Sequence, residues 1–88
     1  MAQVADHIVW HDVEGELVLF DSHTGRYLSL NGTATIIWRC IARGDGLSQI
    51  AEQLAADYDA PHEVLEADIA AFVEHALAKG LLVAQVYA

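Results

Sequence analysis

An α+β fold, with strands first and helices after them, follows from three features of the sequence. Apolar runs too brief for a helix occupy residues 7–30 and are separated by polar, turn-forming residues. From residue 33 onward, apolar residues recur every three or four positions, the spacing of amphipathic helices. The connections are short, about two to six residues, so neighbouring strands can reverse but not cross over.

Met1 to Asp6 carries little pattern and is expected to be a loose arm. His7 to Val13 reads as the first strand, with Ile8 and Trp10 on one face, and Glu14-Gly15 as the next turn. Glu16 to Phe20 is the second strand, directing Leu17 and Leu19 to the core and Val18 and Phe20 to the other face, beside Val9 and Tyr27. Asp21-Ser22-His23-Thr24-Gly25 supplies a tight reversal. Arg26 to Leu30 returns as the third strand, with Leu28 and Leu30 on one face and Tyr27 and Ser29 on the other, and Asn31-Gly32 stops it. The third strand is expected at an edge. Because both sheet faces are partly apolar, the second should be covered by the N-terminal arm, the C-terminal tail or another subunit.

The first helix is predicted from Thr33 to Ala42, capped by Thr33 or Thr35 and ended by Arg43-Gly44-Asp45-Gly46. Ser48 is the candidate cap of the second, whose apolar stripe is Ile50, Ala51, Leu54 and Tyr58. Pro61 suits the first position of the third, which carries Leu65, Ile69, Phe72, Val73, Ala76 and Leu77 as a broad stripe. Lys79 complements its dipole, Gly80 ends it, and Leu81 to Val86 packs as coil or as a small wing strand. A three-stranded antiparallel sheet followed by three helices and a short C-terminal apolar segment is the order of a winged helix-turn-helix arrangement.

Bulk properties narrow the function. A chain of 88 residues is expected to form one domain, and 55% hydrophobic against 19% charged residues is too apolar for disorder. Apolar material in that amount implies a binding or oligomer surface. No apolar run approaches the roughly 20 residues needed to cross a bilayer, and the N-terminus lacks signal-peptide character, so a cytoplasmic protein without membrane contact is expected. Thirteen acidic residues against four basic ones, a formal charge of -9, would repel a phosphate backbone. Nucleic acid is therefore disfavoured as a partner.

Candidate chemistry is sparse. His7 and His11 share a strand face but lie about 13 Å apart, and the histidines show no zinc spacing, so neither metal nor cofactor is expected. Cys40 lies in an apolar helical stretch and reads as a buried structural thiol rather than a nucleophile. Arg39 and Arg43 read as solvated, and Gly44-Asp45-Gly46 lacks the further features of a phosphate loop. Glu63, Glu66, Asp68 and Glu74 fall on the polar side of the third helix, as a solvated face or a rim for a basic peptide. A chain of this size has little room for both a core and a substrate cavity, so no catalysis is expected.

The edge is what remains. Along Arg26 to Leu30 the outer backbone groups are lightly protected, and an extended peptide could add there as a strand, bonding to Tyr27, Leu28 and Ser29 while its side chains enter a groove against the third helix. The competing reading is an edge capped by the chain's own tail.

At this point the residues resemble a family. Leu17-Val18-Leu19-Phe20-Asp21, Thr24-Gly25-Arg26-Tyr27-Leu28-Ser29-Leu30-Asn31, Ala34 and Ile37-Trp38 are similar to the PqqD-like precursor peptide recognition elements of RiPP (ribosomally synthesised, modified peptide) biosynthesis. Ile50-Ala51, Leu54, Tyr58, Asp68-Ile69, Phe72-Val73, Leu77 and Gly80-Leu81-Leu82 continue the pattern, which spans residues 7–83. The resemblance implies a winged helix-turn-helix protein that binds the leader of a precursor peptide and presents it to maturation enzymes. It places the leader along Arg26, Tyr27, Leu28, Ser29, Leu30 and Asn31 and against the third helix, where Leu65, Asp68, Ile69, Phe72 and Val73 are taken as the groove side. Thr-Gly-Arg-Tyr and Leu-Asn in these places are most similar to the free-standing lasso-peptide branch, whose partners are a leader peptidase and a macrocyclase. The quinone-cofactor branch, where the domain is a peptide chaperone for a radical SAM enzyme, typically has Pro-Glu where Ser-His-Thr-Gly stands here. Two other classes compete. A winged-helix DNA-binding regulator would need a basic helix face, yet Ser48–Tyr58 has no Lys or Arg and Pro61–Gly80 has only Lys79. A homodimer would pair through Val9, Val18, Phe20 and Tyr27.

Overall fold

The computed structural model describes residues 2–84. Its elements are β1 (Ala2–Val4), β2 (Ile8–Val13), β3 (Glu16–Asp21), β4 (Arg26–Ser29), α1 (Gly32–Arg43), α2 (Leu47–Ala55), α3 (His62–Ala78) and β5 (Leu82–Ala84). Strands β2, β3 and β4 form the expected antiparallel meander, in the order β2-β3-β4, ahead of the three helices. The arm is a correction. Instead of hanging loose, Ala2–Val4 pairs antiparallel with β5 in a second, two-stranded sheet, with Ala2 opposite Ala84 and Val4 opposite Leu82. Ala2 and Ala5 are buried, and the Ala5 amide donates to the Leu81 carbonyl at 3.1 Å. Met1 of the expected arm, and Gln85 and Val86 of the expected tail, lie outside the described residues.

The core joins the inner sheet face to all three helices: Leu17, Leu19, Trp38, Ile50, Leu54, Ile69 and Leu82 are its large, fully buried side chains. Trp10, on the inner face, meets Trp38 edge to face at 6.0 Å. Cys40 is buried among them as a free thiol. Burial pushes its pKa up, Arg43 working against that and Asp45 with it, as befits an unreactive cysteine.

Helix ends depart from expectation in instructive ways. Asn31, not Thr33 or Thr35, caps α1, its Oδ1 accepting the Ala34 amide at 2.9 Å. Thr35 is buried instead. Its hydroxyl accepts the Leu17 amide at 3.2 Å and donates to the Leu30 carbonyl at 3.3 Å, joining β3 to the end of β4. Thr33 donates to the Tyr58 hydroxyl at 2.8 Å. Tyr58 lies beyond α2 and is exposed, so it does not belong to that helix's apolar stripe. Gly44 stops α1 with a left-handed φ of 94°, which a side chain would resist. Gly46 rather than Ser48 precedes α2, and the Gln49 Oε1 accepts its amide at 2.8 Å. Pro61 sits one place earlier than expected, at the cap of α3. Neither arginine of α1 is merely solvated: Arg39 pairs with Asp12, and Arg43 Nε donates to Asp45 at 3.0 Å.

Candidate functional site

The register of the meander determines which backbone groups of β4 are free. Pairs run Val18–Ser29, Leu19–Leu28, Phe20–Tyr27 and Asp21–Arg26, and the Leu30 amide donates to the Leu17 carbonyl at 2.8 Å. Bonded pairs alternate along an antiparallel ladder, so Leu28 and Arg26 turn their backbone groups inward to β3 while Tyr27 and Ser29 turn theirs outward. Two residues, not three, therefore carry the free edge; Leu28 is withdrawn from the expected set of backbone partners. No described strand pairs beyond β4, and β5 pairs with β1, so the tail as far as Ala84 does not cap this edge.

Beside the edge lies an open groove between β4 and the C-terminal half of α3. One part, of about 570 Å³, is lined by Leu19, Asp21, Arg26, Tyr27, Leu28 and Lys79 among others. A second, of about 220 Å³, is lined by Leu28, Leu30, Phe72, His75, Ala76 and Lys79. Leu28, Lys79 and Leu81 are common to both, which makes them one trough. Leu28 is 38% exposed, an apolar side chain left open on the inner face at the sheet's edge.

This geometry divides the broad stripe of α3. Leu65, Ile69 and Val73 are buried in the core, which corrects their expected place on the groove side. Phe72 is half-buried, packed against the core and lining the trough. His75 and Lys79, unnoticed in the sequence as groove residues, follow it at intervals of three and four, and exposed Asp68 stands one turn before it on the same line. The signal was available in that i, i+4, i+7, i+11 spacing, but it is a polar stripe and reads as solvated surface. Asn31 of the expected contact set is occupied as the α1 cap.

The β3–β4 hairpin is internally braced. Asp21 Oδ1 accepts the amides of His23 at 2.8 Å and Thr24 at 3.2 Å, and Gly25 takes the left-handed φ of 73° that closes the turn. His7 and His23 stack in parallel planes, 3.8 Å between centroids, and His7 Nε2 lies 3.8 Å from Asp21. Burial works to raise the Asp21 pKa, but the two amides and the two imidazoles outweigh it and hold the carboxyl below 3.8. His7, Asp21 and His23 place their ligand atoms within 4.8 Å of one another, a clustering that the sequence spacing did not reveal. Lone pairs lying in parallel ring planes do not converge on one ion, and Asp21 Oδ1 is already engaged; as placed, the cluster braces the turn that presents β4.

The opposite sheet face is open at its ends: Val9 is 50% and Tyr27 71% exposed, with Phe20 packed on Tyr27 at 4.8 Å between ring centroids. Neither described tail covers it. No described helix is long and apolar enough to cross a membrane.

Comparison with known proteins supplies independent findings. The family described as coenzyme PQQ synthesis protein D (PqqD) matches residues 16–82. A solved structure described as TbiB1 in complex with the TbiA(beta) leader peptide is 27% identical, with 98% of both chains covered and a TM-score of 0.86. Another, lasso peptide synthetase B1 complexed with the leader peptide, is 26% identical over 94% of this chain and 98% of that one, with a TM-score of 0.87. No curated protein matches the sequence.

Proposed function

The chain belongs to the PqqD family, and from that premise we propose that it binds the leader region of a ribosomally made precursor peptide by strand addition to β4. The observation that carries this reading is the conjunction at one edge: the outward backbone groups of Tyr27 and Ser29 stand beside an apolar trough lined by Leu28, Leu30 and Phe72. A peptide lying along β4 exchanges backbone bonds with those two residues, each worth about 1 kcal/mol net. Its alternate side chains enter the trough, where burying an apolar anchor is worth about 1.5–3 kcal/mol. Asp68, exposed one turn before Phe72 on α3, continues the same helix face. Leu65, Ile69 and Val73 belong to the core against which Phe72 packs.

Binding of this kind involves no chemistry on the peptide. It raises the precursor's local concentration at enzymes that act on it, here a leader peptidase and a macrocyclase in the cytoplasm where the precursor is made. Likeness over nearly the whole chain to a lasso peptide synthetase B1 favours the lasso branch over the quinone-cofactor branch. Calorimetric titration with the leader half of a precursor encoded beside the gene tests the reading. Saturable binding that Ser29→Pro and Phe72→Ala each weaken about tenfold, with melting curves intact, supports it; full affinity in both variants contradicts it.

A further inference from the structure

The trough collects two cations, Arg26 and Lys79, that pair with no acidic side chain among the described residues. Of four basic residues against thirteen acidic ones, Arg39 is held by Asp12 and Arg43 by Asp45. Arg26, at the start of β4, and Lys79, at the end of α3, line the same end of the groove, and among the described residues neither makes an ion pair. The acidic side chain sharing that end, Asp21, turns its Oδ1 to the His23 and Thr24 amides but keeps its charge, so two cations stand there against one carboxylate. With four basic residues against thirteen acidic ones overall, this end differs in sign from the chain as a whole.

Resting on the leader-binding reading, we propose that Arg26 and Lys79 form an anion subsite that takes an Asp or Glu side chain of the docked peptide and thereby sets its register. Strand addition alone does not specify register. Sliding the peptide by two residues restores every backbone bond to Tyr27 and Ser29 and returns side chains to the same face. The apolar stretch past Leu28, Leu30 and Phe72 accepts many hydrophobic side chains, so it discriminates weakly between such registers. A carboxylate meeting two cations at one end of the trough discriminates strongly, because a slip of two residues withdraws it from both and exposes them to whatever replaces it.

The test is a display library of random dodecapeptides, selected in parallel on the wild-type protein and on the double variant R26E/K79E. Both substituted side chains are surface groups, and thermal melting verifies that the fold persists. The expected result is that wild-type binders carry Asp or Glu at a constant distance from their apolar anchors, while binders of the double variant carry Lys or Arg there. A wild-type binder weakens about tenfold on the double variant, and exchanging its acidic residue for Lys restores it. Arg39→Gln, away from the groove, leaves the selected pattern unchanged. Pools that share apolar anchors, lose binding in Ser29→Pro and show no charge preference overturn the subsite while leaving leader recognition standing. A protein that selects no peptide at all overturns both.

Discussion

The meander has two outer edges, β2 and β4, and the open trough described above lies beside β4. On β2 the Ser22 amide donates to the His7 carbonyl, so alternation turns the backbone groups of Trp10 and Asp12 outward, just as Tyr27 and Ser29 are turned outward on β4, while the Ile8 amide is taken by the Ala5 carbonyl at 3.1 Å. Backbone availability is therefore shared. The difference is in what flanks each edge. Beside β2, Trp10 is seated edge-on against Trp38, and Asp12 both pairs with Arg39 of α1 and accepts the Gly15 amide at 3.0 Å. Trp10 is 38% exposed, as Leu28 is, so the two edges differ in the trough beside them rather than in the openness of their own side chains. Beside β4, α3 stands back and leaves a trough with apolar walls and two cations. An edge offers a place for an added strand when the adjoining layer leaves room for side chains, and beside β2 a charged pair reaches across from α1 instead.

That contrast can be broken from inside or outside β4. Ile69 is 0% exposed, and Ile69→Ala is expected to cost about 3 kcal/mol of stability. Chemical denaturation reads that loss. Thr35→Val should cost about 2 kcal/mol, because it removes the hydroxyl joining the Leu17 amide to the Leu30 carbonyl and leaves both buried groups unpaired; faster exchange of the amides at the end of β4 accompanies the lower melting temperature. Leu28→Pro removes an amide that faces β3, so it destabilises the hairpin by about 1–2 kcal/mol. Ser29→Pro removes one that faces outward, leaving stability nearly unchanged while weakening peptide binding. A pair of prolines that behaved alike would contradict the register.

The smallest effect is one of pH. Asp21 has a folded-state pKa below 3.8, so its ionised form favours the fold above that value, and this contribution is lost as pH falls below 3.8 through the lowered folded value. Melting temperatures between pH 5 and pH 2 should therefore fall more steeply for the wild type than for Asp21→Asn. Equal slopes would remove Asp21 from the brace that presents β4.

Strand and helix order was readable because alternation at Leu17 and Leu19, and three- and four-residue spacing from Ile50 to Leu54 and from Leu65 to Ala76, each record a buried face directly. The β4 edge was readable for the same reason, since two short polar turns leave the third strand nowhere else to lie. What escaped notice was written in residues with little hydrophobic signal. Ala2 and Ala5 bury small side chains, and so the arm looked featureless. Asn31 and Gly46, rather than a threonine or Ser48, turned out to precede the helices, because several capping residues stood side by side at each start. In α3, Leu65, Ile69 and Val73 face the core while Phe72 borders the trough, a rotation of one helical step that an apolar stripe wide enough for both could not reveal. His75 and Lys79 were invisible as groove residues because a polar stripe on a helix ordinarily faces water.

Amide hydrogen exchange of the free domain and of its complex with the leader half of the precursor addresses the central claim directly. The account predicts that in the free domain Leu28 and Leu30 are protected by β3 while Tyr27 and Ser29 exchange freely, and that the leader confers protection on Tyr27 and Ser29 and leaves Trp10 and Asp12 unchanged. Protection arriving at Trp10 and Asp12 instead, or at neither edge while the leader is bound, would contradict it.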